Sequence, residues 1–171
     1  MRKTIEVVGL MALGVLFWVT YGALNGPAHL PDRIPTHFDI SGRPDAWGTL
    51  TMLWFLPAVG SGLYLLMTAL GGIRFRRYNL PVRVTEGNLP LIQRQTGEMV
   101  ALIKCEVLWL FVYLQWSIIQ SARNRIFRIS PLLIPVFLVV VFSTVGWKLA
   151  VLVQDARSRE GSTSVAEFHS Q

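Results

Sequence analysis

One short segment, residues 25–49, holds the side chains whose types and spacing suit chemistry. His37 and Asp39 are two positions apart, so in an extended strand both point to the same face, and a compact turn over residues 41–45 would bring Asp45 back towards them. A histidine with two carboxylates is a set that binds divalent cations. The alternative is structural: His37 hydrogen-bonds to backbone, and Asp45 caps the turn or the following helix. The structural interpretation is favoured, and metal binding stays open.

The rest of the chain offers no catalytic motif. Catalysis would need a nucleophile paired with a base, or a metal with an open coordination position. The sequence has no H-E-x-x-H, G-x-S-x-G or C-x-x-C motif and no glycine-rich phosphate loop. Its single cysteine, Cys105, cannot form a disulfide within the chain. We therefore expect no enzymatic activity, no catalytic residue and no cofactor.

The elements that must position the 25–49 segment are apolar helices. The chain has 171 residues, of which 52% are hydrophobic and 15% charged, whereas about 25% are charged in an ordinary soluble domain. The apolar residues form long blocks, which we predict as four transmembrane helices at about 7–24, 51–71, 90–122 and 129–147. The predicted fold is an all-α integral membrane protein, with a proline-rich structured loop between helices one and two.

The charges that precede the first block and those within the third need an explanation. The first block follows Arg2 and Lys3, as a cleavable signal peptide would, but bulky residues such as Trp18 near its end favour an uncleaved helix. In the third block, Lys104 and Glu106 are expected near the membrane interface, where long side chains extend towards water.

The distribution of Lys and Arg predicts the orientation. Eleven of the 16 basic residues fall on one side and five on the other, which favours cytoplasmic termini in a multi-pass protein of the cytoplasmic membrane. Residues 1–73 then form a transmembrane hairpin, residues 74–154 a basic cytoplasmic loop with helices three and four, and residues 155–171 a polar, loosely ordered tail. The basic stretch 74–83 follows a membrane helix, so we assign it to lipid headgroups and not to nucleic acid.

The loop also carries a recognisable motif. Residues 30–38 read LPDRIPTHF and residues 42–49 read GRPDAWGT. This pattern resembles the bacterial membrane domain of unknown function numbered sixteen-forty-eight, over about residues 8–66. The same domain opens the SdpI-type immunity proteins, which have six or more helices where this chain has about four. The second half of the chain, from residue 74 onwards, shows no resemblance.

The resemblance implies a non-enzymatic binding or regulatory, immunity-like membrane protein whose extracytoplasmic loop contacts a ligand or an envelope partner. Besides the lipid bilayer, the predicted partner is an extracellular peptide or another membrane protein; nucleic acid is not expected, and the sequence predicts no oligomeric state. The alternative is a metal-dependent membrane enzyme or small transporter that uses His37, Asp39 and Asp45. The predicted ligand-binding or partner-binding residues are His37, Asp39, Asp45 and Trp47, and the predicted structural residues are Pro31, Pro35, Gly42, Pro44 and Gly48.

Overall fold

The apolar blocks fold into four helices, and the proline-rich segment folds into a β-hairpin. The computed structural model describes residues 1–27, 29–73, 84–124 and 126–169, and for residues 159–169 it describes the backbone alone. In chain order the elements are α1 (Arg2–Asn25), β1 (Arg33–Phe38), β2 (Pro44–Thr49), a 3-10 helix (Leu50–Trp54), α2 (Phe55–Gly72), α3 (Leu89–Arg123) and α4 (Leu133–His169).

Three segments are long and apolar enough to cross a membrane: Arg2–Asn25, Leu50–Gly72 and Leu133–Ser158. At about 1.5 Å per residue, each matches or exceeds the roughly 30 Å of a hydrocarbon core. Most of their side chains are not buried against the rest of the protein, as expected for helices whose outer faces meet lipid. The chain is therefore a membrane protein. Helix α3 is the longest of the first three helices but carries Glu98, Lys104 and Glu106 within it.

Helix α3 is the centre of the bundle, with α1, α2 and α4 packed around it. Small residues let the first three helices approach closely. A Cβ atom at Gly60 of α2 would lie 3.2 Å from Leu16 Cδ2 of α1 and 3.5 Å from Leu108 Cδ2 of α3. Within the described residues, α4 packs mainly on α3, so α2 and α4 flank the same central helix.

The helix bounds agree with the predicted ones within a few residues except in α4. Helix α4 begins at Leu133 because a turn over residues 131–132 precedes it, and Ser130 Oγ accepts a hydrogen bond from the Leu132 N–H. It continues to His169, through the segment expected to be a loose tail, because no proline interrupts it there. Pro57 lies in the first turn of α2, where its missing N–H costs little, so it causes no mid-helix bend. The basic stretch 74–83 lies outside the described residues.

The β-hairpin corrects the all-α prediction. Strands β1 and β2 pair antiparallel, with Arg33 opposite Thr49 and Phe38 opposite Pro44. The prolines favour extended backbone, and here that backbone is paired into a two-stranded sheet. Ile34 of β1 is 1% exposed and belongs to an apolar cluster at the same end of the bundle, with Ala23, Leu53, Ile119 and Ala122. We call this end, where the hairpin meets α1, α3 and the start of α4, the hairpin end.

Candidate functional site

The tip of the hairpin is a turn organised by Asp39. Its Oδ1 accepts hydrogen bonds from the backbone N–H groups of Ser41 and Arg43, each at 2.8 Å. The Asp39 N–H donates to the Arg43 carbonyl oxygen at 2.8 Å, and the Gly42 N–H donates to the Asp39 carbonyl oxygen at 2.9 Å. An aspartate that closes a turn in this way has a structural role. Asp39 was predicted to bind a ligand or partner, but its carboxylate is already engaged by the turn.

Gly42 joins this turn to the segment between α3 and α4. Its φ angle is +73°, a left-handed conformation that glycine adopts at no steric cost. Its carbonyl oxygen accepts a hydrogen bond from the Ile129 N–H at 3.0 Å. A Cβ atom at this position would collide with the carbonyl group of Ile129, whose carbon would lie only 2.7 Å away. The hairpin tip therefore packs on the segment between α3 and α4, through a backbone contact that only glycine permits.

His37 and Asp45 face each other across the two strands. The His37 Nδ1 atom lies 2.6 Å from Asp45 Oδ1, a hydrogen bond between two side chains that are 69% and 46% exposed. The predicted proximity of these two residues is therefore present. Asp39 does not complete a set of three ligands, and the described residues contain no group of three His, Cys, Asp or Glu side chains placed to hold a metal ion. The structure thus gives no support to the metal-dependent alternative.

The remaining motif residues shape the hairpin. Pro35 is fully buried and pairs with Trp47, which is 41% exposed. Gly48 lies opposite Ile34, and a Cβ atom there would be 2.6 Å from Thr36 Cγ2 and 3.3 Å from Met52 Cγ. Gly48 is therefore required by close packing and not by its φ angle. The two other motif prolines are at the hairpin's edges: Pro31 is exposed before β1, and Pro44 begins β2.

Beneath the hairpin lies a cavity of about 890 Å³. Its roof is the β1 strand and the turn, its floor is α3 at Leu114 and Ile118, and its two sides are the starts of α2 and α4. The lining is mostly apolar, and it includes Ile34, Pro35, Phe38, Met52, Phe55, Leu56, Ile129, Leu133 and Ile134. A mainly apolar cavity in the range of about 300–1,000 Å³ is typical of a site for a small ligand.

The polar side chains that line this cavity come from the hairpin and from Ser130 before α4. His37 and Asp39 contribute to its lining, whereas Asp45 and Trp47 do not. The starts of α2 and α4 both line the cavity while each helix packs mainly on α3, and we call the side of the cavity between them the gap between α2 and α4. Phe55 of α2 and Ile134 of α4, which flank the gap, are 62% and 53% exposed. If α2 and α4 cross a membrane, the gap between them faces the lipid.

A buried amide fixes the hairpin end to the helices. Gln115 of α3 is fully buried, and its Nε2 donates to Thr20 Oγ1 of α1 at 2.8 Å and to the carbonyl oxygen of Leu53 at 3.0 Å. Because Leu53 lies in the 3-10 helix directly after β2, this amide ties α1 and the base of the hairpin to the central helix. Buried interhelical hydrogen bonds of this kind are typical packing devices in membrane proteins.

Lys104 of α3 is paired inside the bundle, which corrects the expectation that it extends to the interface. Lys104 is fully buried, and its Nζ contacts Glu6 Oε2 at 2.5 Å and Thr68 Oγ1 at 2.8 Å. It also lies 4.2 Å from the centre of the Tyr64 ring. The sequence could not show this, because Glu6 and Lys104 are 98 residues apart.

Two further acidic residues of α3 contact α4. Glu98 pairs with Lys148 at 2.9 Å, and both side chains are about 95% buried. Glu106 Oε1 accepts a hydrogen bond from Thr144 Oγ1 at 2.5 Å. Lys104 and Glu106 do face different helices, as their spacing of two predicts. Lys104 and Glu98 thus link α3 to its neighbours by ion pairs and Glu106 does so by one hydrogen bond, and none of the three lines the cavity.

The comparison with protein families agrees with the motif. Residues 7–60 match the family model described as Domain of unknown function (DUF1648). The matched segment contains most of α1, the whole hairpin, the 3-10 helix and the start of α2, which is roughly a third of the chain. This match confirms the resemblance that the loop motif indicates. No curated protein and no solved structure matches the chain.

Proposed function

We propose that this membrane protein, whose residues 7–60 carry the DUF1648 domain, is a non-enzymatic binding protein of the cytoplasmic membrane. Its hairpin is extracytoplasmic, and the cavity beneath the hairpin holds the apolar part of a ligand. The single observation that carries the proposal is the apolar cavity of about 890 Å³ roofed by the family motif. A regulatory or immunity-like role would follow from the bound ligand, as the SdpI-type relatives of the domain suggest.

The proposal includes α3 as a fourth membrane-spanning helix. Its ionic side chains would be costly in lipid, but Lys104 and Glu98 are paired and buried inside the bundle. Helix α3 is surrounded by α1, α2 and α4, all of which contain apolar spans. Four crossings place both termini on the same side, in agreement with the 11-to-5 distribution of Lys and Arg.

Geometry separates the predicted binding residues into two groups. His37 lines the cavity and has an exposed imidazole, so it remains the motif side chain best placed to contact a ligand. Asp45 orients that imidazole through the 2.6 Å hydrogen bond. Trp47 is 41% exposed and does not line the cavity, so it is available for contact with an envelope partner or lipid headgroups. An extracellular peptide or second membrane protein stays a predicted partner.

A photoactivatable fatty acid tests the cavity. The full chain in detergent is incubated with a diazirine-bearing palmitic acid, irradiated and digested, and the labelled peptides are mapped by mass spectrometry. We expect label in the β1 strand and around Leu114 and Ile118, and we expect Leu114→Trp, which fills the floor, to reduce it several-fold.

Leu65→Trp is the matched control, because Leu65 is 69% exposed on α2 and does not line the cavity. This variant should keep the label in the cavity peptides. Label spread over the outward faces of α1 and α4 alone, or equal loss of label in both variants, would contradict the proposal.

A further inference from the structure

Two arginines are the sequence neighbours of residues that line the cavity. Gly42 and Ile129 both line the cavity, and the hydrogen bond between their backbones holds the hairpin tip on the bundle. Arg43 follows Gly42 in the sequence, and Arg128 precedes Ile129. Both arginines are exposed. Within the described residues, neither guanidinium forms an ion pair or hydrogen bond, whereas the nearby carboxylates Asp39 and Asp45 are engaged in the turn and with His37.

We infer that the ligand of the cavity is an anionic phospholipid of the surrounding bilayer, with an acyl chain in the cavity and its phosphate beside Arg43 and Arg128. This inference rests on the proposed function and names the ligand class for the same site. Guanidinium groups bind phosphate oxygens with charge-assisted hydrogen bonds. An apolar cavity with two exposed arginines next to its lining residues therefore suits an amphiphile with an anionic head.

The path of entry favours a lipid over a peptide. The gap between α2 and α4 lies between two segments that are apolar enough to cross a membrane, so a chain entering there comes from the bilayer. Acyl chains are the apolar chains that the bilayer supplies at this depth. A water-soluble peptide would instead have to pass the hairpin, whose buried Ile34 and Pro35 roof the cavity.

Native mass spectrometry of the full chain in detergent tests the inference. The protein is titrated with dioleoyl phosphatidylglycerol or with dioleoyl phosphatidylcholine, which has the same chains but a zwitterionic headgroup. Because two exposed guanidinium–phosphate contacts each contribute modestly, we expect phosphatidylglycerol to bind about fivefold more tightly. The double variant Arg43→Gln with Arg128→Gln should bind both lipids equally.

Two further variants, Arg123→Gln and Leu114→Trp, distinguish a failure of the anionic-lipid inference from a failure of the proposed function. Arg123 is an exposed arginine at the end of α3 that does not adjoin a lining residue, so its replacement should leave the preference for phosphatidylglycerol unchanged. If both lipids bind equally to the wild-type chain and Leu114→Trp abolishes both, the cavity binds apolar ligands but the inference of an anionic lipid is wrong. If Leu114→Trp leaves lipid binding unchanged, the proposed function itself is wrong.

Discussion

Replacing Gly42 by alanine should detach the hairpin tip from the segment between α3 and α4. Alanine in the left-handed region, at a φ of +73°, costs about 1–2 kcal/mol relative to its preferred conformations. Its Cβ atom would also collide with the Ile129 carbonyl, so the 3.0 Å hydrogen bond from the Ile129 N–H to Gly42 would be lost, at about 0.5–1.5 kcal/mol. Together these terms give an expected loss of about 2–3 kcal/mol in the free energy of unfolding.

The assay is unfolding by sodium dodecyl sulfate in mixed micelles, followed by tryptophan fluorescence. Gly146→Ala is the matched control, because Gly146 lies within α4 and a Cβ atom there would meet nothing within 4 Å. An alanine in a helix interior is neutral or stabilising by up to about 1 kcal/mol. If Gly42→Ala unfolds at the same detergent fraction as wild type and still binds the photoactivatable fatty acid, the tip is not docked on Ile129 and the cavity has no fixed roof.

Three further predictions concern the hairpin, the buried charge and the topology. Gly48→Val should lower the free energy of unfolding by about 1–2 kcal/mol because a side chain there overlaps Thr36. His37→Ala removes an exposed pair and should change the free energy of unfolding by less than about 1 kcal/mol. The same detergent titration compares the two variants. Lys104→Met should cost about 1.5–3 kcal/mol because it removes a charge-assisted hydrogen bond of Glu6, which keeps Arg2 at 3.9 Å, and an unchanged unfolding midpoint would show that the Lys104–Glu6 pair does not form in solution. A reporter active only outside the cytoplasm should work when fused near Gly42 and fail near Glu86 or after Gln171, and the reverse pattern would invert the topology.

The sequence predicts the helices well because their signal is local. Long uncharged blocks mark α1 and α2, and Asn88 with Pro90 marks the start of α3; the described helices agree with these predictions within a few residues. The start of α4 is less evident. Ser130 and Pro131 look like a cap and a first helical residue, yet a turn intervenes before Leu133.

The sequence predicts which side chains of the loop come together, but it does not predict that the loop forms two paired strands. Its prolines indicate extended backbone, and the 41–45 turn brings His37 and Asp45 to 2.6 Å as the spacing suggests. Assigning Asp39 to the turn required knowing that its carboxylate meets two backbone N–H groups. Gly42 and Gly48 were both predicted to be structural, but only the fold shows that one needs a positive φ angle and the other a lack of side-chain volume.

The cavity and the buried charges could not be predicted from the sequence. Leu114 and Ile118 are apolar residues in an apolar helix, and nothing in their neighbours distinguishes a cavity floor from a lipid-facing surface. Lys104 next to a run of apolar residues is compatible with the interface as well as with a buried ion pair. Its partner Glu6 is distant in sequence, so only the packing of α1 on α3 brings the two together.

A crystal structure of the chain grown in a lipidic phase doped with phosphatidylglycerol tests the central claim most directly. The account predicts elongated density between the starts of α2 and α4, beneath Pro35 and over Leu114, with its phosphate at Arg43. A cavity closed by direct packing of α2 on α4, or a hairpin separated from Ile129, would contradict it.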